Sequence, residues 1–195
     1  MNITDICRKC GKPGESIEHV MSGCSALADN AYLGRHYQVA KLIHQQLAIK
    51  FGMLGKDTPP YYKYEPPEVI EGPNQRMYWD RPILTDKRVA HNRPDIVIIN
   101  KIEKTAFLID IPLTHNIKST EDEKIRKYED LAIEMKNIWK LNKVTTILLV
   151  ISAEAVVLSN FVRNLEKIGM LNWTFKTSQK MVILQTCHIM RKFLN

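Results

Sequence analysis

No uninterrupted apolar run in the 195-residue chain is long enough to cross a bilayer. Its N-terminus lacks the basic, then apolar, then small-residue order of a secretory leader. Together these absences lead to the expectation of an intracellular, soluble protein. Cysteine is scarce: four residues are too few to staple a chain of this size with disulfides. Internal repeats are also missing, which excludes a solenoid or propeller.

What is present suits a packed core. Apolar residues make up 45% and charged residues 25%, so wholesale disorder is excluded. The length allows one full domain and a small satellite. The net charge of +7 is unevenly spread. Residues 1–51 carry six Lys/Arg against four Asp/Glu, and residues 52–75 carry two against four. Residues 76–195 carry twenty against thirteen, so the basic excess sits in the C-terminal part, where it would favour a polyanionic ligand.

Three of the four cysteines crowd beside a histidine as Cys7-x2-Cys10-x8-His19-x4-Cys24. Two short loops can bring such a Cys3His set around one tetrahedral Zn²⁺, with Gly11, Gly14 and Gly23 easing the turns. A segment this short buries no core of its own, so the metal would supply its folding free energy. Four protein ligands leave no open position, which makes such a zinc structural or nucleic-acid-holding rather than catalytic.

After this cluster, Val39, Leu42, Ile43 and Leu47 recur at helical spacing, and Gly52 supplies a stop. From 52 to 75 prolines alternate with tyrosines, as in an extended linker with little regular structure. The expected parts are therefore 1–51, a zinc knuckle with its helix; 52–75, the linker; and 76–195, the main domain. In the last part a strand is expected over 76–84, which Pro82 would confine to an edge or end early. A hairpin follows, then a helix that Thr120 caps with Glu123 three residues on. Residues 144–151 read as a strand buried on both faces, and helices are expected over 155–168 and 179–194. This order describes an α/β fold: a mixed sheet flanked by helices, preceded by the knuckle and its helix.

The hairpin carries the most informative residues. Arg93-Pro94-Asp95 opens the run Ile96-Val97-Ile98-Ile99, and Ala106-Phe107-Leu108-Ile109-Asp110 returns after a polar turn. Symmetric pairing about that turn sets Asp95 directly opposite Asp110, with Cβ atoms about 5 Å apart. Like charges that close repel unless a cation lies between them. Carboxylate oxygens suit Mg²⁺, and a metal-dependent phosphodiester-cleaving site is the chemistry that follows. Such a site also needs a nearby cation. The position two residues beyond Asp110 is Pro112, which cannot serve. On the following helix Tyr128, Leu131 and Met135 mark an apolar face; Lys124 lies within it, and Lys127 about 60° to one side. Lys124 is the candidate and Lys127 its alternative; both could instead snorkel to solvent.

These motifs resemble the C-terminal region of site-specific non-LTR retrotransposon polyproteins, in which a CCHC knuckle precedes a restriction-like endonuclease of the PD-(D/E)xK superfamily. The residues that match are Cys7, Cys10, His19 and Cys24; Arg35-His36 with Val39 and Ile43-His44; Arg93-Pro94-Asp95; Asp110; and Glu123 to Tyr128. The resemblance implies a restriction-endonuclease-like sheet and a nuclear enzyme that nicks target DNA with Mg²⁺, leaving a 3′-hydroxyl to prime reverse transcription. It implies that Asp95 and Asp110 bind Mg²⁺, that Lys124 or Lys127 assists the water and that Tyr128 supports the site. Arg93, Arg35 and His36 would contact nucleic acid, the partners being DNA and element RNA. No aromatic-x-Asp-Asp polymerase signature occurs, so the chain cannot copy RNA itself. It is expected to be a fragment of a longer protein or a separated copy, with the missing reverse transcriptase portion as its native partner. Intact acids argue against advanced decay.

Two rivals stand beside this: a catalytically inactive remnant that binds nucleic acid, and a junction-resolving nuclease. Cys187 is expected to fill core space despite its neighbour His188. His36 and His44 are expected to be solvated more readily than to meet phosphate. His115 is a candidate for the site edge only. The tyrosines between 52 and 75 could stack on bases but are expected to pack on their own domain.

Overall fold

A computed structural model describes residues 5–55, 57–170 and 172–195. Its centre is a five-stranded sheet in chain order: β1 (Val69–Glu71), β2 (Gln75–Trp79), β3 (Ile96–Asn100), β4 (Thr105–Asp110) and β5 (Lys143–Leu148). The first four strands are antiparallel to their neighbours, and β5 joins β4 in parallel. That parallel step requires a crossover. Helices α2 (Ile117–Lys127) and α3 (Glu129–Ile138) provide it. The remaining helices are α1 (Leu33–Lys50), α4 (Ser159–Lys167) and α5 (Asn172–Leu194).

Alternation along the central strands sends side chains to two cores. Ile96, Ile98, Ile109 and Ile147 face one way and pack with Val39, Leu42, Ile43 and Leu47 of α1, with Phe161 of α4 and with Val182 of α5. Val97 and Leu108 face the other way and meet Tyr128, Leu131 and Met135. The knuckle-side helix therefore belongs to the sheet's main core. Helix α1 shares this core with the sheet, α4 and α5, which together cover its apolar residues.

Several elements differ from expectation. The strand expected over 76–84 stops at Trp79, because Asp80 adopts φ 42 and turns the chain. The described residues of 52–75 are mostly exposed, but Met53, Leu54, Tyr61 and Ile70 pack against the core. The segment contains the 3₁₀ turn Tyr61–Lys63 and strand β1, and it buries Tyr64. Helix α2 starts three residues before Thr120, since Asn116 caps it by accepting from the Ser119 amide at 3.4 Å. Asn serves as well as Thr at that position, so the later Thr120/Glu123 pair is not needed as a cap. Thr120 instead donates to the Thr114 hydroxyl at 3.1 Å. The chain breaks helical geometry at Tyr128, which separates α2 from α3 and leaves Ile125 exposed. Strand β5 lies at the sheet edge and is only partly covered near its start. Helix α5 begins well before 179. Cys187 is exposed, not core filler, because it falls on the outer side of α5.

His44 is also unlike its expectation: it is fully buried in α1. It shares a 2.9 Å hydrogen bond with Tyr64 and meets the Trp79 ring edge-on. Burial pushes His44 down to about 4 and Tyr64 up to about 12. As pH falls from 6.5 toward 4, the unfolded chain takes up this proton before the folded one. The stabilisation is complete above the unfolded value and is lost on acidification. Urea denaturation should show a loss of about 2 kcal/mol between pH 7.5 and pH 5 from this residue. The drop should be missing in His44→Gln.

Candidate functional site

The Cys/His cluster near the N-terminus is built on a tight turn in which the Cys7 amide donates to Lys12 O at 2.7 Å and the Gly11 amide donates to Cys7 O at 2.8 Å. Gly11 sits at φ 70, a conformation that favours glycine. His19 begins a one-turn π-helical segment, His19–Gly23, and Cys24 follows it. One ligand atom from each of Cys7, Cys10, His19 and Cys24 comes within 4.8 Å of all the others. Cys7 Sγ and Cys24 Sγ are 3.8 Å apart, and Cys10 Sγ is 3.4 Å from His19 Nε2. A tetrahedral ion with sulfur at ~2.3 Å and nitrogen at ~2.0 Å requires S···S and S···N separations of about 3.8 and about 3.5 Å. The donor set therefore fits a tetrahedral metal. Burial pushes the Cys7 thiol up, but hydrogen bonds from the Cys10 and Lys9 backbone outweigh it and bring the group down to about 6. Burial raises Cys24.

This cluster is not a free arm. Cys7, Val20 and Cys24 pack with Phe193 and Met190 of α5. The Tyr32 hydroxyl accepts from the Cys24 amide at 3.1 Å and donates to Val20 O at 2.8 Å. His115 lies 3.2 Å from Glu18 O and 3.3 Å from Glu154 Oε1, so it ties the knuckle to the sheet side.

The aspartates lie at one end of the sheet. Strand register pairs Ile96 with Ile109, and one further step sets Asp95 against Asp110, as expected from the symmetric hairpin. Both line a cavity of about 530 Å³ between α1, α2 and the knuckle. Asp95 is gripped from two sides: Oδ2 accepts from the Ile111 amide at 2.7 Å, and Oδ1 lies 3.1 Å from His36 Nε2. His36 Nδ1 is 3.1 Å from Ile111 O. Both ring nitrogens thus face acceptors, and only the imidazolium can donate to both. Burial opposes that charge, but Asp95 and then Asp110 outweigh it and raise the group.

Asp110 is 5% exposed. Oδ1 accepts from the Tyr128 hydroxyl at 2.6 Å. Oδ2 is 3.1 Å from Lys124 Nζ, yet the ammonium lies off the hydrogen-bonding direction, so this buried oxygen has an ion-pair contact and no hydrogen bond. Burial, then the charge of Asp95, raises the Asp110 carboxyl. Burial first, then Asp110, raises the Tyr128 phenol strongly, so it stays a donor. Lys127 stands over the Tyr128 ring at 5.4 Å and is in no ion pair among the described residues. Burial, then Lys124, lowers its pKa.

The structure therefore brings Asp95, Asp110, Lys124, Lys127 and Tyr128 to one cavity. The expected nucleic-acid contacts fare differently. Arg93 lines the cavity but forms a two-pronged ion pair with Asp80, at 2.8 and 3.0 Å. Arg35 is 1% exposed, and its Nη1 donates to Thr186 at 2.8 Å. His36 is half-buried and lines the cavity with its ring on Asp95. Arg35, by contrast, is closed off where α1 packs on α5. Sequence reasoning missed the backbone of Ile111 and the Asp80 partner of Arg93; neither carries a local signal.

Comparison with protein-family models and with curated proteins finds no match. The purified chain is expected to hold one Zn²⁺, measured by atomic absorption. Cys24→Ser or chelation should lower the thermal midpoint and raise amide exchange at the C-terminal end of α5, where Met190 and Phe193 pack on the cluster.

Proposed function

We propose that the chain is a metal-dependent DNA endonuclease of the restriction-like kind. The observation that carries this is the pair Asp95 and Asp110 opening into one cavity, with a lysine against the second acid. The unbonded Oδ2 of Asp110, buried beside a second carboxylate, is an acceptor suited to a hard cation. Asp95 and Asp110 would hold Mg²⁺. When bound, the ion would lower the pKa of a water and offset charge on the phosphate.

The chain's own residues have separable roles in this proposal. His36 and the Ile111 amide orient Asp95, and Tyr128 orients Asp110. Lys124, at the acid, orients the attacking water or meets the charge that develops on the phosphate oxygens. Lys127, without an acid partner, is free for a neighbouring phosphate. Before any metal binds, Lys124 and the His36 imidazolium balance the two carboxylates, which lets them stay close.

The motif resemblance extends the proposal to the endonuclease module of a non-LTR retrotransposon. In that setting it would nick nuclear DNA to leave a 3′-hydroxyl, with element RNA and a reverse transcriptase portion as partners. The Cys3His cluster would hold a structural Zn²⁺.

Nicking of supercoiled plasmid with Mg²⁺ tests the activity. Asp95→Ala and Asp110→Ala should each reduce cleavage at least ~10³-fold while DNA binding is retained. Lys124→Ala should cost about 10²–10³-fold, and Lys127→Ala about tenfold or less. No cleavage with Mg²⁺, Mn²⁺ or Co²⁺, alongside intact DNA binding, would leave the inactive binding module in its place.

A further inference from the structure

Three acids stand in a row at one end of the sheet. Trp79 pairs with Ile96 and Ile96 with Ile109, so one further step sets Asp80 against Asp95 and Asp95 against Asp110. Asp95 and Asp110 line the cavity, and Asp80 stands outside it. Every polar group of Asp80 is nonetheless engaged. Its amide donates to Asp95 O at 2.8 Å, and its Oδ2 accepts from the Tyr37 hydroxyl at 2.7 Å. Its carbonyl and both carboxylate oxygens accept from the Arg93 guanidinium, at 3.1, 2.8 and 3.0 Å. Tyr37 follows His36 on α1, so consecutive residues of one helix brace Asp80 and Asp95. These bonds hold Asp80 at φ 42, which a non-glycine residue keeps only where its surroundings fix it.

Arg93 is the side chain that needs such a holder. Pro94 restricts the residue before it to extended backbone, and in an extended chain residues two apart project to the same side. Arg93 therefore starts on the side of Asp95, and it lines the same cavity as Asp95 and Asp110. The charge of Asp95 acts on it through space. A flexible guanidinium beside two carboxylates would fork onto one of them and occupy the lone pairs that a divalent cation needs. The Asp80 carboxylate offers that guanidinium a two-pronged partner elsewhere.

We propose that Asp80 is a positioning residue that draws Arg93 away from Asp95 and Asp110 and so keeps their cavity open to a divalent cation. The cation rests on the metal-dependent reading above; the diversion of Arg93 by Asp80 does not. Tyr37 fixes the carboxylate that receives the arginine, and the Asp80 amide ties the same turn to the main chain of Asp95.

The test uses the full zinc-loaded chain and two readouts that need no cleavage. In the first, free Mn²⁺ is followed by its paramagnetic resonance signal as protein is added. Asp80→Asn removes the charge but keeps an oxygen for Tyr37 and a residue type that tolerates positive φ. Its half-saturating Mn²⁺ concentration should rise about fivefold or more, as Arg93 turns to the acids. Asp80→Asn combined with Arg93→Ala should return to within about twofold of wild type, because the competing cation is gone. A double variant as weak as Asp80→Asn alone would make Asp80 a purely structural residue and overturn the proposal. In the second, the crystal structure of metal-free Asp80→Asn should show Arg93 in an ion pair with Asp95 or Asp110. An Arg93 that stays on residue 80 or extends into solvent overturns the diversion. Asp80→Gly, which relieves the left-handed backbone, serves for both readouts if Asp80→Asn does not fold. Absence of Mn²⁺ binding by wild type, with Arg93 moved onto the acids in the variant, would overturn the metal-dependent reading and leave the diversion standing.

Discussion

The carboxylate of Asp95 joins three parts of the molecule that are distant in sequence, and the geometry of the cavity depends on that junction. One oxygen takes the amide of Ile111, just past the end of β4, and the other takes the ring of His36 on α1. His36 in turn reaches the carbonyl of the same Ile111. The closed loop of acid, imidazolium and peptide fixes the start of β3, the end of β4 and the N-terminal half of α1 together. Without the imidazolium, Ile111 O would lose a partner and Asp95 would meet Asp110 with less charge to offset it. Strand register brings the two acids close, and each meets a basic side chain: His36 of α1 at Asp95 and Lys124 of α2 at Asp110.

The knuckle and the sheet are similarly interdependent. Phe193 and Met190, at the end of the last helix, pack on the cysteines of the first 24 residues. Tyr32 braces the Cys24 turn with its hydroxyl and lies beside the guanidinium of Arg35 with its ring. A metal-ligand cluster of this size has little core of its own. Here the aromatic and sulfur contacts of α5 complete it, so the two ends of the chain stabilise each other. The Arg8–Glu15 ion pair across the knuckle hairpin and the approach of Arg8 to the Phe193 ring add to the same seam.

The parts of this architecture that were legible in the sequence are those set by local pattern. The Cys3His spacing foretold the cluster, since short loops leave few ways to arrange four ligands. The register of Asp95 and Asp110 followed from two β-rich runs about a short turn, because a two-residue side-chain period admits little slippage when one face is buried. Lys124 was singled out, with Lys127 as its alternative, by helical phase taken together with the need of two close acids for a cation, and its ammonium lies 3.1 Å from Asp110. What escaped notice was decided by tertiary contact. Nothing local distinguishes His36, which meets an acid, from His44, which is sealed beneath Tyr64. Arg35 looked like a surface contact because its burial depends on α5, 151 residues away at Thr186. The cap of α2 was misplaced because two good capping residues, Asn116 and Thr120, lie one turn apart, and sequence preference does not choose between them.

Helix α2 differs from every other long helix in that none of its residues is buried. Its position is set by polar contacts: Lys124 on Asp110, Thr120 on Thr114, and Glu121 accepting from Asn160 at 3.0 Å. Apolar contacts hold α3 and the sheet beyond Tyr128, where geometry breaks. Ionic strength screens charge contacts near the surface far more than it weakens apolar burial. Concentrated salt therefore loosens the lysine-bearing flank while the strands beneath keep their spacing. The flank that carries Lys124 and Lys127 is thus the part of the frame most open to its ionic surroundings.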